Sequence, residues 1–120
     1  MVLIIGGAYQ GKLDFAKQAF DLAPEEIFTC SAGKIDFSKR CIDRVQAFIW
    51  GLEDPIGYFR ANRGQWQDSI LILDDVTCGV VPLGAENRAW RENTGRLMQY
   101  LAGEAEQVSR IFCGLEQRLK

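Results

Sequence analysis

The 120-residue chain has no histidine. That absence excludes imidazole acid–base catalysis, phosphohistidine or nucleotidyl-histidine intermediates, and the commonest protein ligand of transition metals. Long apolar runs are missing too. The longest, Met1–Ile5, is five residues, far short of the ~20 that a membrane-spanning helix needs. Gly6 and Gly7 interrupt it, so the start has neither the charged lead nor the apolar core of a secretory signal, and a cytoplasmic location is expected. With a net charge of −2 and no long basic run, no general nucleic-acid surface is expected. The four cysteines (Cys30, Cys41, Cys78, Cys113) lack any C-x-x-C spacing, as reduced and mostly buried thiols would. No repeat, linker or low-complexity tract divides the chain, which reads as a single domain over 1–120.

The most informative feature lies at the beginning. The run Val2–Ile5 leads into Gly6-Gly7-Ala8-Tyr9-Gln10-Gly11-Lys12, and apolar residues then recur at helical spacing at Phe15, Ala16, Ala19 and Phe20. Strand, glycine loop and helix in this order are the context in which Gly-x-x-x-x-Gly-Lys binds phosphate. Glycines let successive N–H groups turn inward, and Lys12 offers a point charge to the β- and γ-phosphates. The helix aims its positive end at the same place. The candidate binding residues are Gly6, Gly7, Ala8, Tyr9, Gln10, Gly11, Lys12 and Leu13, with ATP or GTP as ligand. Leu13 stands where Ser or Thr would contribute a hydroxyl to Mg²⁺. The competing reading is a tight turn in which glycine serves backbone geometry alone.

Further along, Glu26 to Cys30 reads as a short strand. Ser38 reads as the N-cap of a helix striped by Cys41, Ile42, Val45, Phe48, Ile49 and Leu52. Asp54-Pro55 opens another helical turn or two, and Asn62 to Asp68 reads as a polar connection. Ile70 to Leu73 is the strongest strand and delivers Asp74-Asp75 at its end. After a loop with Gly79, Pro82 and Gly84, a long helix is expected over Glu86 to Gln107, then a strand over Val108 to Cys113. Strands alternating with helices predict a parallel sheet covered by helices, with ligands beyond the carboxyl ends of the strands. One of the two adjacent aspartates, Asp74 or Asp75, can face the loop and hold Mg²⁺, in a catalytic and metal-binding role beside Lys12; the preference for Asp75 comes from the resemblance described next. Arg88, Arg91 and Arg96 either steady phosphate charge or form a solvated face with Glu86 and Glu92.

Three segments together resemble a known family. Gly6-Gly7-Ala8-x-x-Gly11-Lys12, Asp75-Val76-x-x-Gly79-Val80-Val81-Pro82 and Arg88-x-x-Arg91-Glu92-x-x-Gly95-Arg96 are similar to the bifunctional adenosylcobinamide kinase/adenosylcobinamide-phosphate guanylyltransferase family of cobalamin biosynthesis, as is the ending Cys113-Gly114-Leu115 with Leu119-Lys120. The resemblance implies a P-loop NTPase-like three-layer α/β sandwich with a mostly parallel sheet, here reduced in size. It also implies nucleotide at the glycine loop, adenosylcobinamide as a partner substrate, and a homo-oligomer. In that family the position of Asp75 carries Glu, which is the reason for preferring it over Asp74. The family is longer, and its extra segment, between the second strand and the position of Ile70, carries the histidine that becomes guanylylated; Gln10 replaces its usual loop Ser. The resemblance therefore implies a nucleotide-binding protein that retains phosphoryl transfer but not histidine-mediated guanylyl transfer. The alternative is a catalytically inactive nucleotide-sensing or partner-binding module derived from the same family.

Overall fold

The computed structural model describes residues 1–76 and 84–120. In chain order these form β1 (Val2–Gly6), α1 (Lys12–Phe20), a 3-10 turn (Pro24–Glu26), β2 (Ile27–Thr29), β3 (Cys41–Asp43), α2 (Val45–Phe48), α3 (Pro55–Ala61), α4 (Arg63–Trp66), β4 (Ile70–Asp74), α5 (Ala85–Glu104), β5 (Gln107–Phe112) and β6 (Leu115–Arg118). One sheet holds all six strands in the order β2-β3-β4-β1-β5-β6. Its pairings are parallel throughout except for the closing β5–β6 hairpin. The expected α/β architecture with a mostly parallel sheet is what the chain adopts.

Alternation along the strands sorts side chains into two cores, because successive residues point to opposite faces. Leu3, Ile42, Leu71, Leu73 and Val108 face Phe48, Phe59, Trp66, Leu97 and Leu101 from α2 to α5. Ile4, Cys41, Ile70, Ile72 and Ile111 face Ala16 of α1 and Leu22. Three layers result. The central strands β1 and β4 are apolar on both faces for this reason.

Two expectations change. The stripe from Cys41 onward is not one helix: Cys41–Asp43 is a strand between β2 and β4, with Ile42 opposite Leu71 and Cys41 opposite Ile27. Cys41 and Ile42 are wholly buried, so both faces of this short strand are covered, and two adjacent apolar residues fit a helical stripe as well as a strand. Arg44 then takes a left-handed turn (φ 56°) before the single helical turn of α2. Ser38 caps no helix; its N–H and hydroxyl both donate to Asp36 Oδ1 at 2.9 and 2.6 Å. The stretch 62–68 is no mere polar connection either, since it contains α4. Trp66 there is 1% exposed and its indole N–H donates to the Phe59 carbonyl at 2.7 Å. A third difference is small: the long helix ends at Glu104, so that Gln107 already belongs to β5. Gly79 and Pro82 of the expected loop, Cys78, and Val80 and Val81 of the second resembling segment lie outside the described residues.

Parallel β1, β3 and β4 end at one edge of the sheet, at Gly6, Asp43 and Asp74 respectively. This is the edge where parallel sheets bind ligands. Among the described residues no helix is long and apolar enough to cross a membrane.

Candidate functional site: the loop after β1

The turn from β1 to α1 is open and lined with polar groups. Gly6 lies so close to β5 that a Cβ there would stand 2.5 Å from the Ile111 carbonyl oxygen, so its glycine answers to the sheet. Gly11 takes a left-handed conformation (φ 89°) as the residue before α1, and no side chain caps that helix. The first N–H groups of α1 therefore remain for an outside acceptor. Tyr9 has φ 61°, an uncommon value for a non-glycine residue, and its side chain is fully exposed at the loop tip.

Lys12 is the centre of the arrangement. Only 7% exposed, it folds back over the loop so that Nζ donates to the Gly7 carbonyl at 2.6 Å and pairs with Asp74 Oδ1 at 2.8 Å. A hollow of about 390 Å³ lies beside it, lined by Ala8 to Lys12, Asp43, Arg44 and Asp74. Asp43 is 8% exposed. Burial pushes its carboxyl above the ordinary carboxylate value, and the nearby Asp74 charge adds to that push, while a backbone hydrogen bond at Arg44 and the Lys12 charge oppose it. Nearby buried thiols respond alike: Cys30 and Cys41 are raised to about 12 by burial and then by the Asp43 charge. These two and the exposed Cys113 are free thiols.

The loop is also held from outside. Gln10 Oε1 accepts from the Cys113 N–H at 2.7 Å and the Gln10 carbonyl accepts from the Gly114 N–H at 2.8 Å, tying the loop to the β5–β6 turn. A Cβ on Gly11 would touch Gly114 Cα at 3.5 Å. Leu13 of α1 is half-buried against the core, and its side chain has no oxygen to give a metal.

Lys12 and the loop residues line one hollow, and the acid beside them is Asp74. Asp75 belongs to the opposite face of the sheet, where it lines a separate hollow with Leu3, Ile5 and Met98. Its N–H still donates to the Gly6 carbonyl at 2.7 Å. Strand parity is the reason: Ile70 and Ile72 face α1, and Asp74 continues their side. Asp43 was not among the expected residues, because its strand was read as helix; the same parity, continued from Cys41, brings it to the loop. Of the basic set, none lines this hollow. Arg96 pairs with Glu92 at 2.6 Å on the exposed side of α5, the solvated-face reading.

Residues 57–119 match the family model described as cobinamide kinase/cobinamide phosphate guanyltransferase, just over half of the chain. The match begins beyond the glycine loop, so the loop's geometry and the family match are separate observations. No curated protein matches the chain.

Proposed function

Because the chain belongs to the cobinamide kinase/cobinamide phosphate guanyltransferase family, we propose that the loop from Gly7 to Lys12 cradles the phosphates of ATP or GTP for phosphoryl transfer to cobinamide. The family acts in cobalamin biosynthesis and uses nucleoside triphosphates as substrates. The observation that carries the reading is the position of Lys12. Its buried ammonium sits between the Gly7 carbonyl and Asp74, at the mouth of an uncapped helix. Polyphosphate oxygens would take over the Gly7 carbonyl's place on Lys12, since a charged acceptor binds an ammonium more strongly than a neutral carbonyl does. Loop amides and the α1 terminus then stabilise charge that builds on the transferring group. The acceptor hydroxyl oxygen bonds to the γ-phosphorus while the bond to the β–γ bridging oxygen breaks, leaving a nucleoside diphosphate. The hydroxyl proton passes to solvent.

The donor set fits Mg²⁺. Asp43 and Asp74 offer hard carboxylate oxygens on the loop's side, and among the described residues no cluster of three candidate ligands occurs. Phosphate oxygens and water would complete the shell. Bound there, the ion would neutralise charge on the β- and γ-phosphates. Guanylyl transfer through histidine is not part of the proposal, as the chain has none.

Leu13 favours a second reading, in which nucleotide binds without turnover, because its half-buried side chain cannot replace the hydroxyl of the usual loop. A homo-oligomer belongs to either reading, supported by exposed Phe112 of β5 and exposed Leu115 of the edge strand β6, and sedimentation velocity tests it. Calorimetry with ATP and GTP, alongside transfer of labelled γ-phosphate to cobinamide, tests the main proposal. Wild-type protein binds nucleotide, and Lys12→Ala binds about 10- to 100-fold more weakly, the loss expected for one charge-assisted contact. Equal affinities in the two proteins would remove the assignment. Binding without labelled product would select the second reading.

A further inference from the structure

A second hollow, of about 520 Å³, opens between α5 and the segment joining α2 to α3. Its composition differs from that of the phosphate cradle. Helix α5 contributes Glu86, Trp90 and Asn93, which share one face at helical spacing. Trp50, Leu52 and Glu53 form the opposite side. The two indoles meet edge to face, with ring centroids 5.5 Å apart and planes at 70°. Trp50 keeps 40% of its surface exposed, while the Trp90 N–H is fixed by the Gln46 carbonyl at 2.7 Å.

The charges are one-sided. Glu53 and Glu86 are exposed, and neither has an ion-pair partner among the described residues. No lining residue among those described is basic. An indole wall with unneutralised carboxylates at its rim selects flat or apolar groups that carry positive charge, because the ring face and the carboxylates both attract cations. Asn93 adds an amide that can pair with another amide.

The hollow is also wired to the cradle. Gln46, which fixes Trp90 through its carbonyl, accepts the Asp74 N–H on its side-chain oxygen at 3.0 Å. Gln46 is 3% exposed, so this link is shielded from water. A ligand resting on the indoles therefore lies one buried residue away from the acid that pairs with Lys12.

We propose that the Trp50–Trp90 hollow seats the acceptor: a broad, amide-fringed ring with net positive charge, the chemistry of cobinamide in its cationic cobalt(III) forms. This rests on the proposed function, whose cradle supplies the phosphate donor. The hollow would hold one edge of such a ring and leave the remainder open to solvent.

Tryptophan fluorescence of the full chain, titrated with aquocyanocobinamide (net charge +1) and dicyanocobinamide (net charge zero), tests the assignment. ATP affinity is measured on the same samples by calorimetry. The cationic form binds wild-type protein at least severalfold more tightly than the neutral one. Glu53→Gln/Glu86→Gln removes that difference, and Trp50→Ala weakens both forms about tenfold, as loss of an aromatic anchor does. ATP affinity stays within about twofold in every variant, on the ordinary independence of separate contacts. The assignment is overturned if wild-type protein binds neither ring, if it does not distinguish them, or if the double variant retains the preference. The double variant changes only exposed side chains, so the test does not depend on Trp50→Ala folding. Loss of ATP binding in wild-type protein would instead sink the cradle and leave the ring titration standing as a separate result.

Discussion

At the scale of single residues, Asp43 carries a cost that its surroundings only partly offset. Burial raises its carboxyl above the ordinary value of 3.8, so the folded protein holds this proton more tightly than the unfolded chain does. Stability from that group is full below about the ordinary carboxylate pKa and is lost as pH rises through the folded value. Asp43→Asn removes the buried charge. The variant should therefore be more stable than wild-type protein near neutral pH, with a flatter fall in stability from pH 4 upward, in urea melts across that range. If the cradle reading is right, the same variant weakens Mg²⁺-dependent nucleotide binding. A variant less stable at neutral pH would mean that the Lys12 and Arg44 interactions outweigh burial. The neighbouring choice between Asp74 and Asp75 turns on strand parity, since Ile70, Ile72 and Asp74 share the α1 side, but β4 is apolar on both faces and its sequence does not say which side meets the loop. The family pattern, which places an acid at position 75, pointed to the other face.

At the scale of elements, the phosphate loop is braced by a turn more than 100 positions away in sequence. Gln10 joins it to Cys113 and Gly114 through one side-chain and one main-chain bond. Gln10→Ala leaves the main-chain bond and removes the other, so triphosphate affinity should fall only severalfold, matching about 1 kcal/mol for one exposed hydrogen bond. Amide exchange at Cys113 should quicken in the variant, and nucleotide should slow it in wild-type protein. Unchanged exchange at Cys113 in both comparisons would mean the brace is incidental. No local pattern announces such a contact, because neither partner has a periodicity that names the other. Short elements were hidden for a related reason. β3 has three residues and α4 has four, too few for either period to show, so their identity comes from the strands and cores around them. The longer elements β1, α1, β4 and α5 repeat their pattern often enough to be read directly.

At the scale of the whole molecule, two apolar layers fix the direction in which β1, β3 and β4 present their ends. Leu71 is fully buried at the centre of the larger core, between sheet and helices. Leu71→Ala should cost about 2–5 kcal/mol in denaturant unfolding. A loss below ~1 kcal/mol would show that this core can collapse around the gap. The layered architecture follows from alternation of strand and helix, so it could be read from the sequence before any coordinates. The convergence of Lys12, Asp43 and Asp74 could not, because it requires knowing that β3 is a strand and where it inserts. From α2 to α4, Phe48, Tyr58, Phe59 and Trp66 pack ring against ring. Trp50 is the member that stays half outside.

The central claim is that the turn after β1 receives a polyphosphate. Amide chemical-shift mapping with a non-hydrolysable ATP analogue and Mg²⁺ tests it most directly. The account predicts the largest shifts at Gly7 to Leu13, with smaller ones at Asp74 and Gly114 and none comparable along β6. Shifts that bypass the loop, or that leave Gly11 and Lys12 unmoved at saturation, would contradict it.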